Sequence, residues 1–141
     1  MIEVSHTAHS DAPREEVWKK LSDLQNWDEW GPWTKTSIDG EIRTLVSERK
    51  HVTGKPYVMK ERVTTLDPAE SRLEYDLLSG LPVKNYHATV TLADKEGGTD
   101  ITWSAAFNSP WPFLGGLWRG AMTKVMRDVA EALARAQTEA K

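Results

Sequence analysis

Apolar and polar side chains alternate along several stretches of the chain, with the period of two that half-buried β-strands show. On one face, the N-terminal stretch carries Ile2, Val4, His6 and Ala8. Six further strands are predicted near residues 36–39, 42–52, 57–66, 72–78, 83–93 and 99–107. Because short breaks rich in Gly, Pro, Asp and Ser separate them, we expect antiparallel neighbours in a meander.

A repeat of three and four residues predicts helices at two places. The first helix covers residues 10–24, after the first strand. The second runs from about residue 112 or 113 to about residue 136, which corresponds to roughly 35 Å. Its apolar positions are Leu114, Leu117, Trp118, Ala121, Met122, Val125, Met126, Val129, Leu133 and Ala136. The predicted class is therefore α+β, an antiparallel sheet of about seven strands with one or two short helices after the first and a long C-terminal helix.

Strand parity predicts which side chains face the core. The inward residues of the later strands are Leu73, Tyr75, Leu77, Tyr86, Ala88, Val90, Leu92, Ile101, Trp103, Ala105 and Phe107. In the strand predicted at 42–52, the polar run 47–50 interrupts the pattern.

The segment NWDEWGPW places tryptophans at positions 27, 30 and 33. Gly31 and Pro32 make a continuous helix unfavourable, because proline disfavours helix at the residue before it. We therefore expect a short helix that ends near Trp30 and a turn into the second strand. Trp27 and Trp30 would pack this helix across the open end of the sheet, which leaves Trp33 to face a cavity.

Composition narrows the possible functions. With 141 residues and 39% hydrophobic content, residues 1–141 are sufficient to form one domain with a buried core. The absence of cysteine excludes disulfides and zinc-thiolate sites. The net charge is −3 and the basic residues are scattered, so no nucleic-acid partner is expected. The N-terminus lacks the pattern of a signal peptide, and the charge-free stretch 101–118 contains two prolines, so we expect a cytoplasmic protein without an integral membrane helix.

Three segments and the terminal helix carry a resemblance to a known superfamily. The segments are DAPREEVWKKLSDLQNWDEW at 11–30, ERVTTLDPAESRLEYDL at 61–77 and GGTDITW at 97–103. With the helix, they resemble the SRPBCC superfamily of START-like, polyketide cyclase/dehydrase and lipid-transport proteins. The resemblance implies a helix-grip fold, in which a sheet wraps around the last helix, and a cavity between them that holds an apolar or aromatic small molecule.

Bulky side chains on the predicted inward surface support such a cavity, because large rings around one helix can leave a hollow. Equally, these rings can simply fill the core. The candidate ligand-binding residues are Trp33, Tyr57, Met59, Glu61, Tyr75, Tyr86, Trp103, Trp111, Trp118 and Met122.

Glu61 is the candidate catalytic residue. If Met59 and Val63 face inward, Glu61 faces inward as well, and a buried carboxylate must be paired or protonated. It would then serve as a general acid or base, or as a polar anchor for a ligand hydroxyl. The opposite register places Val58, Lys60, Arg62 and Leu66 inward and Glu61 in water. A structural salt bridge to Arg43, Arg49 or Arg72 is the third interpretation.

The remaining motifs predict neither a metal site nor a cofactor. His6 and His9 point to opposite faces of a strand, so they cannot share a metal, and His6 is expected to be a hydrogen-bonded inward histidine. G-x-S-x-G, P-loop and G-x-G-x-x-G sequences are absent. Gly116 and Gly120 would allow close approach or mobility where the last helix begins. The loop at 108–118, with Trp111, Phe113 and Leu114, would gate the cavity or contact a membrane or partner transiently.

Three functions are compatible with these features. We prefer a non-catalytic binder or carrier of a hydrophobic small molecule, since no charged catalytic cluster is evident. The second is a polyketide cyclase or dehydratase in which Glu61 and a tyrosine such as Tyr75 or Tyr86 transfer protons. The third is an interaction module that uses the 108–118 loop.

Overall fold

The computed structural model describes residues 1–50, 56–109 and 113–139. Seven strands are present in this part of the chain: β1 (Ile2–Ser10), β2 (Trp33–Asp39), β3 (Ile42–Lys50), β4 (Pro56–Asp67), β5 (Arg72–Ser79), β6 (Lys84–Lys95) and β7 (Gly98–Asn108). The helices are α1 (Arg14–Ser22), a 3-10 helix (Leu24–Glu29) and α2 (Gly115–Glu139). The prediction that the strand at 42–52 continues through residues 51 and 52 falls outside the described residues.

The strands form one sheet in the order β1-β7-β6-β5-β4-β3-β2, with every neighbouring pair antiparallel. From β2 to β7 each strand pairs with the next one in sequence, as the short turns predict. Only β1 departs from this meander, because it pairs with β7, with Ile2 opposite Phe107. This architecture is the helix-grip fold, and it confirms the predicted α+β class.

Strand parity correctly predicts the inward face of the sheet. The buried side chains include Leu73, Tyr75, Tyr86, Ala88, Val90, Leu92, Ile101, Trp103, Ala105 and Phe107. Leu77, at the end of the same row in β5, is half-buried and packs against this core. In β3, Arg43 and Leu45 are the inward residues, and both are fully buried. The polar run that interrupts the apolar pattern therefore begins after the buried part of this strand.

The helix predicted at 10–24 is shorter in the structure, and the short helix expected to end near Trp30 follows it as a separate element. The helix α1 begins at Arg14, after Pro13, and ends at Ser22. The 3-10 helix follows and ends at Glu29, one residue before Trp30. The break after Trp30 and the entry into β2 at Trp33 confirm the interpretation of the Gly31-Pro32 turn.

The long helix α2 packs mainly against β1, with further contacts to β7 and α1. Its buried residues in the described part of the chain are Met122, Met126, Val129, Ala130, Leu133, Ala134 and Ala136. A second apolar stripe, made of Leu114, Leu117, Ala121 and Val125, is exposed. The apolar sector of α2 is therefore wider than the surface that the sheet covers. In the described part of the chain, no helix is both long and apolar enough to cross a membrane.

Candidate ligand site

Four tryptophans pack together at one end of the inward face, and we call them the tryptophan cluster: Trp27, Trp30, Trp33 and Trp103. The ring centroid of Trp27 lies 5.2 Å from that of Trp30, 5.3 Å from that of Trp33 and 5.4 Å from that of Trp103. The ring of Tyr75 meets Trp27 edge-on at 6.4 Å. Such tilted and edge-on aromatic pairs each add about 0.5–1.5 kcal/mol beyond the area that they bury.

Local backbone contacts hold the tryptophan cluster. The indole Nε1 of Trp27 donates to the carbonyl of Leu21 at 2.9 Å, which ties the 3-10 helix to the end of α1. The backbone N–H of Gly31 donates to the carbonyl of Trp27 at 2.8 Å. A Cβ atom at Gly31 would lie 2.2 Å from the ring of Trp33, so only glycine lets this ring fold back onto Trp27.

The expectation that Trp33 stands apart from the other two tryptophans is wrong. Its side chain is only 7% exposed, and its ring contacts both Trp27 and Trp30. The physical reason is the missing side chain of Gly31, which leaves the space that the indole occupies. All three rings of the NWDEWGPW segment therefore belong to one packed group.

A buried ion pair lies against this group. Arg43 of β3 and Glu61 of β4 face each other directly across the two strands. The Nη2 atom of Arg43 donates to Oε1 of Glu61 at 2.5 Å, and the two residues are 0% and 6% exposed. The Cζ atom of Arg43 also lies 3.7 Å from the ring centroid of Trp27, a distance typical of a cation–π contact.

This placement excludes one of the three interpretations of Glu61 and supports the salt bridge. The register that would put Glu61 in water is wrong, because Glu61 is buried whereas Val58, Lys60, Arg62 and Leu66 are exposed. Glu61 is inward, and Arg43 is its salt-bridge partner. Of the predicted partners, Arg72 instead pairs with Glu74.

Three buried nitrogen atoms of the ion pair and the tryptophan cluster have no hydrogen-bond partner among the described residues. They are Nε and Nη1 of Arg43 and Nε1 of Trp30. A buried donor without a partner costs about 1–3 kcal/mol, and more when it is charged, so native proteins contain few of them. The site therefore has unused capacity to donate hydrogen bonds to an oxygen acceptor.

Burial also changes the titration of the acidic groups around the pair. Burial raises the pKa of the Glu61 carboxyl, although the charge and hydrogen bond of Arg43 act in the opposite direction. Burial, together with the nearby Glu61 carboxylate, raises the pKa of Tyr75 and keeps its phenol neutral. The oxygen of this phenol accepts a hydrogen bond of 3.0 Å from Nε1 of Trp103, which leaves its own hydrogen free to be donated.

The backbone of β4 is irregular on both sides of Glu61. Its pairing with β5 shifts register between Lys60 and Glu61 and again between Val63 and Thr65. Such bulges change the direction in which side chains project and often occur beside functional sites. Glu61 therefore lies in a short segment between two interruptions of the regular β4–β5 pairing.

Half-buried apolar side chains surround Glu61, and we call Met59, Val63 and Leu77 the apolar rim. Met59 and Val63 flank Glu61 on the same face of β4, and Leu77 lies opposite it in β5. The rim is the part of the inward face near the ion pair that solvent still reaches.

Of the other candidate ligand residues, some lie in or against the core and others lie outside the described residues. Tyr86 and Met122 are buried, and the ring of Tyr86 packs against Phe107 at 6.1 Å. Trp118 is half-buried at the start of α2. The Tyr57 side chain and Trp111 lie outside the described residues.

Two depressions on the described surface lie away from the space between the sheet and α2. One, of about 410 Å³, lies on the outer face of the sheet and is bordered by Ser5, His87, Thr89 and Ser104. Another, of about 400 Å³, lies between the start of α1 and the turn from β6 to β7. The rings expected to line a cavity instead contact one another, as the bond between Trp103 and Tyr75 illustrates.

His6 and His9 point to opposite faces of β1, as strand parity predicts. His6 faces inward and its Nε2 lies 3.2 Å from the Glu131 carboxylate, while His9 faces outward and its Nδ1 lies 2.9 Å from Asp100. Within the described ranges, no group of three His, Cys, Asp or Glu side chains is placed to hold a metal ion. Among the residues that the structure describes, a Cβ atom at Gly116 or Gly120 would meet nothing within 4 Å, so no close approach is seen at these glycines.

Arg43 is the site residue that the sequence did not single out as functional. It was recognised only as one of three possible partners for Glu61. The available signal was its inward parity with Leu45, since a cation at an inward strand position needs a partner.

Comparison with known proteins gives a family and several similar folds. Residues 1–138 match the family described as "Polyketide cyclase / dehydrase and lipid transport". No match is found among curated proteins. The structure is similar to the protein XoxI from Bacillus cereus, with a TM-score of 0.83, 20% identity, and coverage of 96% of this chain and 95% of that chain.

Two further solved structures show the same fold. A START superfamily protein from Mycobacterium smegmatis has a TM-score of 0.80 and 17% identity, with 99% of each chain covered. The di-domain ARO/CYC BexL from the BE-7585A biosynthetic pathway has a TM-score of 0.80 and 21% identity. That alignment covers 96% of this chain and 46% of BexL.

Proposed function

Because the chain belongs to the polyketide cyclase/dehydrase and lipid-transport family, we propose that it binds and carries a lipid-like or aromatic polyketide-like molecule between the sheet and α2. The observation that carries the proposal is the apolar rim beside the tryptophan cluster. Half-buried Met59 and Leu77 leave apolar surface in water that a bound hydrocarbon or ring would cover.

A pair of adjacent residues on β4 tests this proposal. Met59 faces inward on the rim, whereas Val58 is 44% exposed on the outer face. Met59→Ser removes apolar contact surface and should weaken ligand binding about tenfold, which corresponds to roughly 1.4 kcal/mol. Val58→Ser serves as the matched control and should leave the affinity unchanged.

The measurement is a titration of each protein with fatty acids, sterols and aromatic polyketides, followed by tryptophan fluorescence. A saturable response to one of these classes, reduced by Met59→Ser alone, supports the proposal. The absence of a saturable response to all three classes would refute it. Equal effects of the two variants would show that the ligand does not bind at the apolar rim.

A cyclase or dehydratase activity is the second candidate, favoured by the buried acidic groups. Glu61, whose pKa is raised by burial, would accept a proton from a methylene between two carbonyls. Tyr75, kept neutral by burial, would donate a hydrogen bond to a ketone oxygen. Turnover of a poly-β-ketone that survives Glu61→Gln unchanged would exclude this role for Glu61.

Contact with a membrane is a third candidate, favoured by exposed apolar residues before and within the first turns of α2. Phe113 is fully exposed and has φ of 70°, a conformation that is costly for a bulky residue, and Leu117 is 71% exposed. Residues 101–127 contain basic residues but no Asp or Glu, although the chain is acidic overall. These charges favour an anionic lipid surface.

Co-sedimentation with vesicles of neutral and anionic lipids tests this contact. Phe113→Ala and Leu117→Ala should each reduce binding to the anionic vesicles. Leu66→Ala, which removes a 44% exposed leucine from the outer face of β4, is the matched control. Binding that is equally weak for all four proteins would argue against the contact.

A further inference from the structure

The donors without partners lie around one aromatic ring. The guanidinium of Arg43 covers the ring of Trp27, and the ring of Trp30 packs against that same ring. Nε and Nη1 of Arg43 and Nε1 of Trp30 therefore belong to two buried side chains in the region around the ring of Trp27. Arginine and indole nitrogens donate hydrogen bonds and cannot accept them. Whatever occupies this region must supply acceptor oxygens.

The directions of the guanidinium N–H groups specify the acceptor further. Nε and Nη1 lie on different edges of the planar group, so one oxygen atom cannot bond to both. Glu61 is bonded through a single oxygen to Nη2. Nη2 shares one edge with Nε and another with Nη1, and Glu61 uses only one of the two Nη2 hydrogens. On the other edge, the second hydrogen of Nη2 and one of the unpartnered nitrogen atoms point in parallel, and a group with two oxygen atoms, such as a carboxylate, matches that edge better than a hydroxyl does.

The charge of the site determines what else must change when an anion binds. Among the described residues, the only pair of opposite charges at this position is Arg43 with Glu61. The titratable groups that face this pair are Tyr75 from β5 and Tyr86 from β6. Both tyrosines are neutral, because burial raises their pKa values. A second carboxylate would leave the buried site with net negative charge unless Glu61 became protonated.

We propose that the ligand carries a carboxylate at the end of its apolar body, that this carboxylate binds Arg43, and that Glu61 takes up one proton from solvent in the same step. The inference rests on the proposed function, since it assigns the polar end of the molecule whose apolar part lies along the rim. The rim adjoins Glu61 directly, so a chain bound there brings its end group to the ion pair. No covalent bond is made or broken, and the proton is bound by the Glu61 carboxylate.

Dodecanoic acid and dodecanol are the probes, because they share a chain and differ in the end group. Kd is measured by tryptophan fluorescence between pH 6 and pH 9 for the wild-type protein, Glu61→Gln and the control Glu70→Gln. Glu70 is an exposed carboxylate in the turn between β4 and β5, outside the site. Calorimetry of the wild-type protein in phosphate and in Tris counts the protons taken up.

We expect wild-type affinity for the acid to fall up to tenfold per pH unit at high pH, with uptake of one proton. In Glu61→Gln, which mimics the protonated side chain, the acid should bind at least tenfold more tightly at pH 9, with no dependence on pH. Dodecanol should bind with the same Kd to all three proteins at every pH. Glu70→Gln should match the wild-type protein.

The outcomes separate the inference from the function on which it rests. Equal affinity for the acid and the alcohol, with no effect of Glu61→Gln, would overturn the carboxylate site and leave the binding function intact. Tight binding of the acid without proton uptake would overturn the role given to Glu61. Failure of both probes and of the other hydrophobic ligands to bind would remove the proposed function itself. The calorimetric proton count uses the wild-type protein, so the inference is testable even if Glu61→Gln does not fold.

Discussion

Replacement of Arg43 by methionine is the most informative single change, because it removes the charge and keeps an apolar stem of similar length. The variant loses the hydrogen bond to Glu61 and the contact with the ring of Trp27. Removing one member of a buried ion pair costs about 3–5 kcal/mol, since the other charge is left buried. The loss is reduced because the two nitrogen atoms without partners disappear as well. We expect a net destabilisation of about 2 kcal/mol at pH 8.

The effect should depend on pH in a defined direction. Burial already raises the pKa of Glu61, and loss of Arg43 removes the group that lowers it. A carboxyl whose folded pKa is raised binds its proton more tightly in the folded protein than in the unfolded chain. Its contribution to stability is therefore full below its unfolded pKa and is lost as the pH rises through its folded pKa. Arg43→Met should be less destabilising at pH 5 than at pH 8.

Urea unfolding followed by tryptophan fluorescence measures these differences. With a slope of about 2 kcal/mol per molar urea, the expected loss moves the midpoint by roughly 1 M. The double variant Arg43→Met/Glu61→Leu removes both charges and should recover most of the lost stability. If the changes in the free energy of unfolding caused by the two substitutions instead add up, the two charges do not stabilise each other, and the reasoning about the site is wrong.

Three further changes test other parts of the structure. Gly31→Ala should lower Tm by several degrees, because overpacking against the neighbouring indole ring costs about 1–3 kcal/mol, and an unchanged Tm would show that the ring moves freely. Gly120→Ala should raise Tm, because a Cβ there meets no described atom within 4 Å and glycine weakens a helix interior by about 1 kcal/mol; a lower Tm would reveal an unrecognised contact. Burial lowers the pKa of His87, but its hydrogen bonds to Asp76 and Glu74 raise the pKa by more. Proton NMR should therefore give a pKa above 6.5 for His87 in the wild-type protein and a lower pKa in Asp76→Asn. The stabilisation from His87 should be present below pH 6.5 and lost as the pH rises through its folded pKa, and a normal pKa in the wild-type protein would contradict these bonds.

The fold was largely predictable from sequence because its strands alternate regularly and its turns are short. The period of two correctly identified Tyr75, Tyr86 and Trp103 as inward side chains, and the Gly31-Pro32 break correctly ended the short helix. The predicted helix at 10–24 was too long. Its apolar pattern continues to Leu24, the first residue of the 3-10 helix, so periodicity did not reveal that α1 ends at Ser22.

The candidate site was only partly predictable, because it depends on the alignment of strands with one another. Parity places Glu61 inward, but the choice of Arg43 as its partner follows from the register between β3 and β4. Alternation within a strand does not determine that register. The position of Trp33 depends similarly on the space beside Gly31, which is a property of the packed turn and not of residue types.

The pairing of β1 with β7 has a consequence for the order in which the fold is completed. Thr7 and Thr102, which face each other across these strands, are 95 residues apart in sequence. At ribosomal rates of about 5–20 residues per second, β1 waits roughly 5–20 s for its partner, while β2 to β7 pair with strands made just before them. Because α2 packs mainly on β1, it also depends on this late contact. We therefore expect the meander that carries Arg43 and Glu61 to form first, and β1 and α2 to close over it in the last step of folding.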